Sequence, residues 1–350
     1  VALAKLGQQG ATRLVLDLRG NHGGFVQPAI RMAYEFLPGN RMVFYMQGRH
    51  SPRENFISDG RGAHQSTPLI VLVDEQTASA SEIFAGSMQD NDRALIVGRR
   101  SFGKGLVQES IEFRDGSMLR LTIARYYMPS GRCVQKPYTP GDFEEYEMDF
   151  INRIKSGELE SGDSIKEHGK KYYTRLGRTV YSENGITPDV FVPEQTELLT
   201  SYVKEASMKG LLVKYAYVYT NENRKALSEL KTWEEVAAWL KKHDVVDKFA
   251  DYANKNGLPR RNLLIKKSHR LLQTYLCGYI IDDLLGRDAL TRYLNSDDKC
   301  VITALKLMNE GKAFPAAPKK PRQDKPKNGK ERTAQAGCGV EMQAQPCFFA

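Results

Sequence analysis

The sequence lacks several features that define whole classes of proteins. No run of 18 apolar residues is present, so we expect no membrane-spanning helix. The glycine-rich loop at residues 20–24 has neither the GxGxxG spacing nor the Lys-Ser/Thr of a phosphate loop, which argues against nucleotide binding. The five cysteines show no metal-ligand spacing and are too scattered for a disulfide framework. We therefore expect no metal, no cofactor and no disulfide scaffold.

Acidic residues are scarce in only one part of the chain. The net charge is +9, and residues 312–332 supply +6 of it through eight basic and two acidic residues. The remainder is mildly basic, so we expect no nucleic-acid partner for the folded part. Proline, alanine and lysine dominate the end of the chain, and this composition predicts a disordered basic tail over residues 313–350.

The first half of the chain has an α/β pattern. Apolar runs predict strands at 13–19, 41–47, 68–73 and 94–97. A helix-like run at 26–37 separates the first two strands, and an Asp-Gly signal predicts a hairpin over residues 107–126. Residues 48–67 are polar and are predicted as a loop that borders a cleft. Residues 196–312 show helical periodicity instead, with a capping box that begins at Thr232.

The stretch between residues 74 and 108 carries the strongest chemical signals. A turn of small residues, 77–81, lies between an apolar strand and a helix-like run. Ser79 is therefore placed at a helix N-terminus, where unpaired backbone N–H groups and the positive end of the helix dipole face its oxygen. Such a position suits a nucleophile whose attack creates an oxyanion. Serine is also an ordinary helix cap, and the turn alone does not separate the two interpretations.

Lys104 lies between two glycines that lead into another apolar strand. Because glycines let a backbone approach its neighbours closely, this lysine can be drawn inward instead of extending into water. To act as a base near neutral pH, its pKa must fall from about 10.4 to about 7.5, at a cost of about 4 kcal/mol that burial can supply. A neutral Lys104 would take the proton from Ser79. On a regular strand, Gln108 would share a face with Lys104 and orient the amine.

Four blocks of sequence together resemble the C-terminal processing (tail-specific) serine peptidases, which use a Ser–Lys dyad. These blocks occur in the family's order and lie at residues 16–24, 77–82, 103–108 and 185–190. The resemblance covers roughly residues 1–195. It implies that Ser79 is the nucleophile, that Lys104 is the general base and that Gln108 positions the lysine.

The resemblance also implies an oxyanion hole made of two backbone N–H groups. One donor would be the Ala80 amide, and the glycine-rich loop would supply the other, from either Gly23 or Gly24. His22 stands where the family often has proline, and a lone loop histidine is expected to be solvated rather than catalytic.

The family's architecture predicts how the chain is divided. A crotonase-like spiral of strand-strand-helix units would form a catalytic core over residues 1–195, followed by a helical domain over residues 196–312. Residues 134–181 are charged and aromatic and are predicted as an insertion, either a lid over the cleft or, preferably, a passive surface excursion. Family members carry a PDZ module and an export signal upstream, so we expect a front-truncated chain and a location in the periplasm or cell envelope.

The leading hypothesis is a serine endopeptidase that cleaves polypeptides at or near unstructured C-termini through a Ser79 acyl-enzyme. A catalytically silent peptide-binding module of the same fold is the main alternative. A crotonase-like acyl-CoA enzyme would also use backbone oxyanion donors, but it would have no need for the pairing of Ser79 with Lys104.

Overall fold

The computed structural model describes residues 1–139, 143–165, 169–194 and 198–318. The described residues divide into two compact units, Val1–Val192 together with Ala304 to Pro318, and Pro193–Thr303. The first unit is mixed α/β and the second is helical, which confirms the predicted α/β class with a helical carboxy-terminal region. The predicted boundary at residue 195 and the predicted tail beyond residue 318 lie outside the described residues.

The strands of the first unit form two four-stranded sheets and one hairpin. They are β1 (Leu14–Asp17), β2 (Met42–Gln47), β3 (Glu54–Ile57), β4 (Leu69–Val73), β5 (Leu95–Gly98), β6 (Leu106–Glu112), β7 (Met118–Tyr127), β8 (Lys171–Tyr173), β9 (Thr179–Tyr181) and β10 (Val190–Phe191). One sheet is parallel, in the order β1-β4-β5-β10. The other is antiparallel, in the order β3-β2-β7-β6. The remaining pair, β8 and β9, forms the hairpin.

Strand β3 corrects the prediction that residues 48–67 form a loop. These residues contain a short strand that pairs with β2 and places the Phe56 ring against Phe44, at a centroid separation of 4.4 Å. The apolar signal was weak because Glu54 and Asn55 occupy the exposed positions of an edge strand. The predicted hairpin over residues 107–126 is confirmed as β6 and β7.

Helix α3 is buried along its whole length. The helices of this unit are α1 (Ala2–Gln8), α2 (Val26–Phe36), α3 (Ala80–Asp90) and α4 (Phe143–Lys155), with a single 3₁₀ turn at Gly162–Ser164. All eleven residues of α3 are buried, and the helix packs against α2, β2 and β5. Small residues permit this burial, since a Cβ added at Gly86 would lie 2.4 Å from the Met128 sulfur. The helix that begins beside Ser79 is therefore fixed in the core.

The predicted insertion is attached to the core by buried charges. The Glu158 carboxylate accepts hydrogen bonds from Arg100 Nε at 2.7 Å and from Arg153 Nε at 2.9 Å. The Arg153 guanidinium also donates to the backbone oxygens of Arg100 and Ser101, at 2.5 Å and 3.2 Å. Arg153 and Glu158 are buried, so this segment is more than a passive surface excursion. Through Arg153, the segment binds the backbone at Ser101, three residues before Lys104.

The second unit is a packed helical bundle. Its helices, with the one that leads out of it, are α5 (Ser201–Met208), α6 (Leu211–Glu222), α7 (Arg224–Leu227), α8 (Trp233–Lys242), α9 (Val245–Lys255), α10 (Asn262–Lys267), α11 (His269–Leu285), α12 (Arg287–Ser296) and α13 (Lys299–Asn309). Helix α11 packs against α6, α8, α9 and α12. The predicted capping box is present at the start of α8, where Thr232 Oγ1 accepts from Glu235 N at 3.3 Å and Thr232 N donates to Glu235 Oε2 at 3.1 Å. No helix in either unit's described residues is both long enough and apolar enough to span a bilayer.

Replacing Arg153 tests how firmly the insertion is attached. Arg153→Ala removes one of the two buried guanidinium partners of Glu158 and the donor of two backbone oxygens, and we expect the free energy of unfolding to fall by about 2–3 kcal/mol in urea titrations. Arg61→Ala is the control, because Arg61 is 89% exposed and its ion pair with Asp59 spans 4.0 Å. This control should change the stability by less than about 0.5 kcal/mol. An Arg153→Ala protein as stable as the Arg61→Ala protein would contradict the attachment.

Candidate active site

Ser79 has a backbone conformation that serine rarely adopts. It is the N-cap residue of α3, with φ 57° and ψ −121°, whereas N-cap residues normally lie in the β region. A non-glycine residue in such a region stores about 1–3 kcal/mol of strain and persists only when its surroundings hold it there. Sharp strand-to-helix turns of this kind present a nucleophilic serine in hydrolases. The ordinary-cap interpretation does not account for this conformation.

The turn before Ser79 is held by the Asp74 carboxylate and the Thr77 hydroxyl. Asp74 Oδ1 accepts hydrogen bonds from the amides of Gly20 and Thr77, each at 3.0 Å. Thr77 Oγ1 donates to the Leu18 carbonyl oxygen at 2.8 Å, and both residues are buried. These contacts join the glycine-rich loop after β1 to the turn after β4. Strands β1 and β4 pair in parallel, so their carboxyl ends lie side by side.

The glycine-rich loop lies directly against Ser79 and Ala80. A Cβ added at Gly23 would lie 2.8 Å from the Ala80 nitrogen and 2.9 Å from the Ser79 Cβ, so only glycine fits there. The Gly23 amide already donates to Asn21 Oδ1 at 2.9 Å. In the described part of the chain, the amides of Gly24 and Ala80 have no acceptor. The neighbouring His22 side chain is exposed.

The segment that carries Lys104 packs closely on residues 134–136. A Cβ added at Gly105 would lie 2.7 Å from the Gln135 nitrogen, and Gly103 has φ +86° with the Lys136 Cβ 3.2 Å from such an atom. The Gly105 amide donates to Gln135 Oε1 at 2.8 Å. Lys104 itself is half-buried, and its amine forms no ion pair with a described carboxylate. The two flanking glycines therefore permit the close backbone approach predicted from the sequence.

One buried carboxylate connects the Ser79 turn to the Lys104 segment. Glu82 Oε2 accepts from the amide of Ser79 at 2.9 Å and from the amide of Lys104 at 2.8 Å. Glu82 Oε1 accepts from the Gly103 amide at 2.7 Å and from the Ser101 hydroxyl at 2.5 Å. Both amides bind the same oxygen, Glu82 Oε2. The backbone nitrogens of Ser79 and Lys104 are therefore no farther apart than the sum of these two hydrogen-bond lengths. The Phe102 amide adds a further link to the turn.

Burial raises the pKa of Glu82 from 4.5 to about 7. The side chain is fully buried, so the loss of hydration disfavours its ionised form. The four hydrogen bonds favour the ionised form and offset part of this effect. The carboxyl that joins the two segments therefore changes protonation near neutral pH.

The position of Gln108 differs from the predicted one. Strand β6 begins at Leu106, after Lys104, and the pairing of β6 with β7 shifts register between Val107 and Gln108. The alternation of side chains therefore does not extend from Lys104 to Gln108, and the argument from a regular strand is wrong. Gln108 is half-buried opposite Thr122. Its role as a positioning residue stays a prediction.

Sequence reasoning gave no role to Glu82 or Asp74. A glutamate three residues after a serine is the spacing of a capping box, and this signal predicts the contact between Glu82 and the Ser79 amide. No local signal predicts the bonds from Glu82 to residues 101–104. Among the described residues, no group of three or more His, Cys, Asp or Glu side chains could hold a metal ion.

Comparison with known proteins places this site in a family context. Residues 1–144 match the model of Peptidase family S41, and residues 202–286 match a family of unknown function, DUF8443. Over 135 residues the chain is 44% identical to the carboxyl-terminal-processing protease of Synechocystis sp., covering 39% of this chain and 31% of that protein. It is 39% identical over 135 residues to the chloroplastic C-terminal processing peptidase of Tetradesmus obliquus, covering 39% and 29%. The predicted resemblance to C-terminal processing peptidases is confirmed for this part of the chain.

A solved structure is also similar to part of the chain. The photosystem II D1 C-terminal processing protease is 28% identical and aligns over 56% of this chain and 38% of its own, with a TM-score of 0.39. The chain spans about a third of the length of the curated relatives it matches.

The raised pKa of Glu82 predicts how stability depends on pH. A carboxyl with a higher pKa in the folded state binds its proton more tightly there, so its stabilising effect is present below pH 4.5 and is lost as the pH rises through about 7. Glu82→Gln removes this titration. Measured by urea unfolding, the stability of the wild type relative to Glu82→Gln should decrease by about 3 kcal/mol across that window.

The glutamine amide also lowers the stability of the variant by an amount that does not depend on pH. The quantity to measure is therefore how the difference in unfolding free energy between the wild type and Glu82→Gln changes with pH. Glu109→Gln, at an exposed position on β6, is the matched control. Its difference from the wild type should stay within about 0.5 kcal/mol at all pH values. A flat difference for Glu82→Gln would show that Glu82 titrates with an ordinary pKa.

Proposed function

We propose that the protein is a serine endopeptidase that cleaves polypeptides at or near unstructured C-termini, with Ser79 as nucleophile and Lys104 as general base. The observation that carries this proposal is the shared Glu82 oxygen, which binds the Ser79 and Lys104 amides together. The match of residues 1–144 to Peptidase family S41 supports it.

The chemistry follows the usual course of acyl transfer. The Ser79 hydroxyl oxygen attacks the scissile carbonyl carbon while its proton passes to the neutral Lys104 amine. The tetrahedral intermediate then collapses, the peptide C–N bond breaks, and the ammonium of Lys104 gives the proton to the leaving amine. Water, deprotonated by the same lysine, hydrolyses the acyl-enzyme. No described carboxylate pairs with the Lys104 amine, and such a pairing would hold it in the charged form.

The oxyanion donors in this proposal are the amides of Ala80 and Gly24. Both lack an acceptor among the described residues, whereas the Gly23 amide is bonded to Asn21. Gly23 acts instead by letting the loop approach the Ala80 nitrogen. Preorganised donors of this kind are usually the largest catalytic contribution, each worth about 3–4 kcal/mol. Gln108 is retained in the proposal as the residue that orients Lys104.

The proposal also includes the fold of the core, the division into domains and the location of the protein. We propose a crotonase-like spiral for the core over residues 1–195, which agrees with the parallel pairing of β1, β4 and β5 and the packing of α3 on β5. We propose that the helical region predicted at 196–312 is a separate domain, of which the compact helical unit ends at Thr303. Export to the periplasm or cell envelope belongs to the same proposal, and the relatives with chloroplastic names include the T. obliquus enzyme and carboxyl-terminal-processing peptidase 1 of Arabidopsis thaliana.

A serine-reactive phosphonate tests the dyad. We expect the wild type to be labelled on Ser79 and to cleave an unstructured peptide, with both activities falling at least about 1,000-fold in Ser79→Ala and Lys104→Ala. Ser81→Ala, in the first turn of α3, and Lys171→Ala, at an exposed position of the β8–β9 hairpin, should retain activity within about threefold. Mass spectrometry locates the label and the cleavage site. A wild type that binds the peptide without labelling would establish the silent binding module instead.

A pair of glycine variants tests the oxyanion geometry. Gly23→Ala places a methyl group 2.6 Å from the Ala78 carbonyl oxygen, so the loop must move away from Ala80. We expect labelling of Ser79 to slow by about 100-fold, the effect of losing one oxyanion donor. Gly20→Ala in the same loop has a similar φ of +65° but no atom within 4 Å of the added Cβ. Gly20→Ala should lower the free energy of unfolding by about 1–2 kcal/mol and leave the labelling rate within tenfold of the wild-type rate. Equal labelling rates for the two variants would contradict the assigned geometry.

A further inference from the structure

The Tyr126 hydroxyl is a buried polar group with no hydrogen-bond partner among the described residues. Tyr126 lies on β7 and is 1% exposed, in the hydrophobic core around α3. A buried donor left unsatisfied costs about 1–3 kcal/mol, whereas phenylalanine would fill the same space without this cost. The hydroxyls of Tyr202, Tyr215 and Tyr219 in the helical unit share this feature, so what distinguishes Tyr126 is the polar side chain beside its hydroxyl.

The surroundings of Tyr126 identify this side chain. Its amide donates to the Gly105 carbonyl oxygen at 3.0 Å, so β7 lies beside the segment that carries Lys104. Its ring packs edge-on against the Phe44 ring, with centroids 6.4 Å apart. The hydroxyl interacts with the Ser79 side chain, although the geometry falls short of a formed hydrogen bond.

The charge state of the phenol is set by its burial. Burial raises the pKa of Tyr126 well above 10, and the nearby Glu82 carboxyl raises it further, with smaller effects from Cys133 and Tyr146. The Ser79 hydroxyl lowers the pKa in part. Tyr126 is therefore a neutral donor at every pH at which the enzyme would work. It can donate a hydrogen bond to Ser79 Oγ but cannot act as its base.

We propose that Tyr126 is a positioning residue for Ser79, whose phenolic O–H donates to Ser79 Oγ and directs the serine proton toward Lys104. This inference rests on the proposed function and adds a residue to that site. A donor to Oγ occupies one lone pair and leaves the serine hydrogen free for the amine. As the proton leaves, negative charge builds on Oγ and strengthens the hydrogen bond from Tyr126. The interaction therefore stabilises the transition state more than the free enzyme.

Tyr126→Phe is the direct test, and Tyr202→Phe is its matched control. Tyr202 is also fully buried with an unpartnered hydroxyl, but it belongs to the helical unit. Tyr126→Phe should reduce kcat for an unstructured peptide and the phosphonate labelling rate of Ser79 by about tenfold. The KM should change less than twofold, and the urea midpoint should not fall. Tyr202→Phe should leave kcat, KM and the labelling rate at their wild-type values.

The outcomes separate this inference from the proposed function. Wild-type kcat and labelling in Tyr126→Phe would overturn the role of Tyr126 and leave the dyad intact. A loss of activity that follows a lowered urea midpoint, or a rise in KM at constant kcat, would also overturn it, because a packing or binding role would then explain the effect. A wild-type enzyme that does not label on Ser79 would refute the proposed function, and the role of Tyr126 with it.

Discussion

The site depends on a single buried carboxylate that binds two separate parts of the chain. Glu82 is fully buried, and removing a carboxylate from water is costly unless donors replace its hydration. Three amides and one hydroxyl do so, and the pKa of about 7 is the net result of burial against these four bonds. The effects of burial and of the hydrogen bonds on Glu82 nearly cancel. A change of pH or a substitution can therefore weaken the contact between the Ser79 turn and the Lys104 segment.

The strained backbone of Ser79 is maintained by contacts on both of its sides. Before it, Asp74 and Thr77 tie the turn to the end of β1. After it, the Glu82 carboxylate returns to the Ser79 amide, and α3 is buried along its whole length. Strain of about 1–3 kcal/mol is small compared with the free energy gained by burying the apolar surface of such a helix. The surroundings can therefore hold Ser79 in a conformation that serine avoids. The backbone of Ser79, the proposed nucleophile, is therefore held in place mainly by the core.

Local patterns allowed much of this site to be predicted, and the failures have a physical cause. The strand, turn and helix around Ser79 and the glycines around Lys104 follow from composition and periodicity over a few residues. The bonds from Glu82 to residues 101–104 depend on how distant segments fold together, which no local pattern specifies. The register shift before Gln108 is equally invisible, because one extra residue in a strand leaves its composition unchanged. Gly23 and Gly24 look alike in sequence, and only their neighbours in space distinguish them.

The loop before Lys104 joins three of the four separated sequence blocks, those at residues 77–82, 103–108 and 185–190. Ser101 donates its hydroxyl to Glu82 and accepts from the Ile186 amide at 2.6 Å, while its own amide donates to the Ile186 carbonyl oxygen. Its carbonyl oxygen accepts from Arg153 in the insertion. The amides of Gly103 and Lys104 are thus held by a carboxylate on α3, and the carbonyls of Arg100 and Ser101 by a guanidinium on α4. A chain held through both its donors and its acceptors has little freedom to rotate, so the backbone that leads to Lys104 is fixed from two directions. The block at residues 185–190 and the insertion both support the position of the proposed base, and neither needs to touch a substrate to do so.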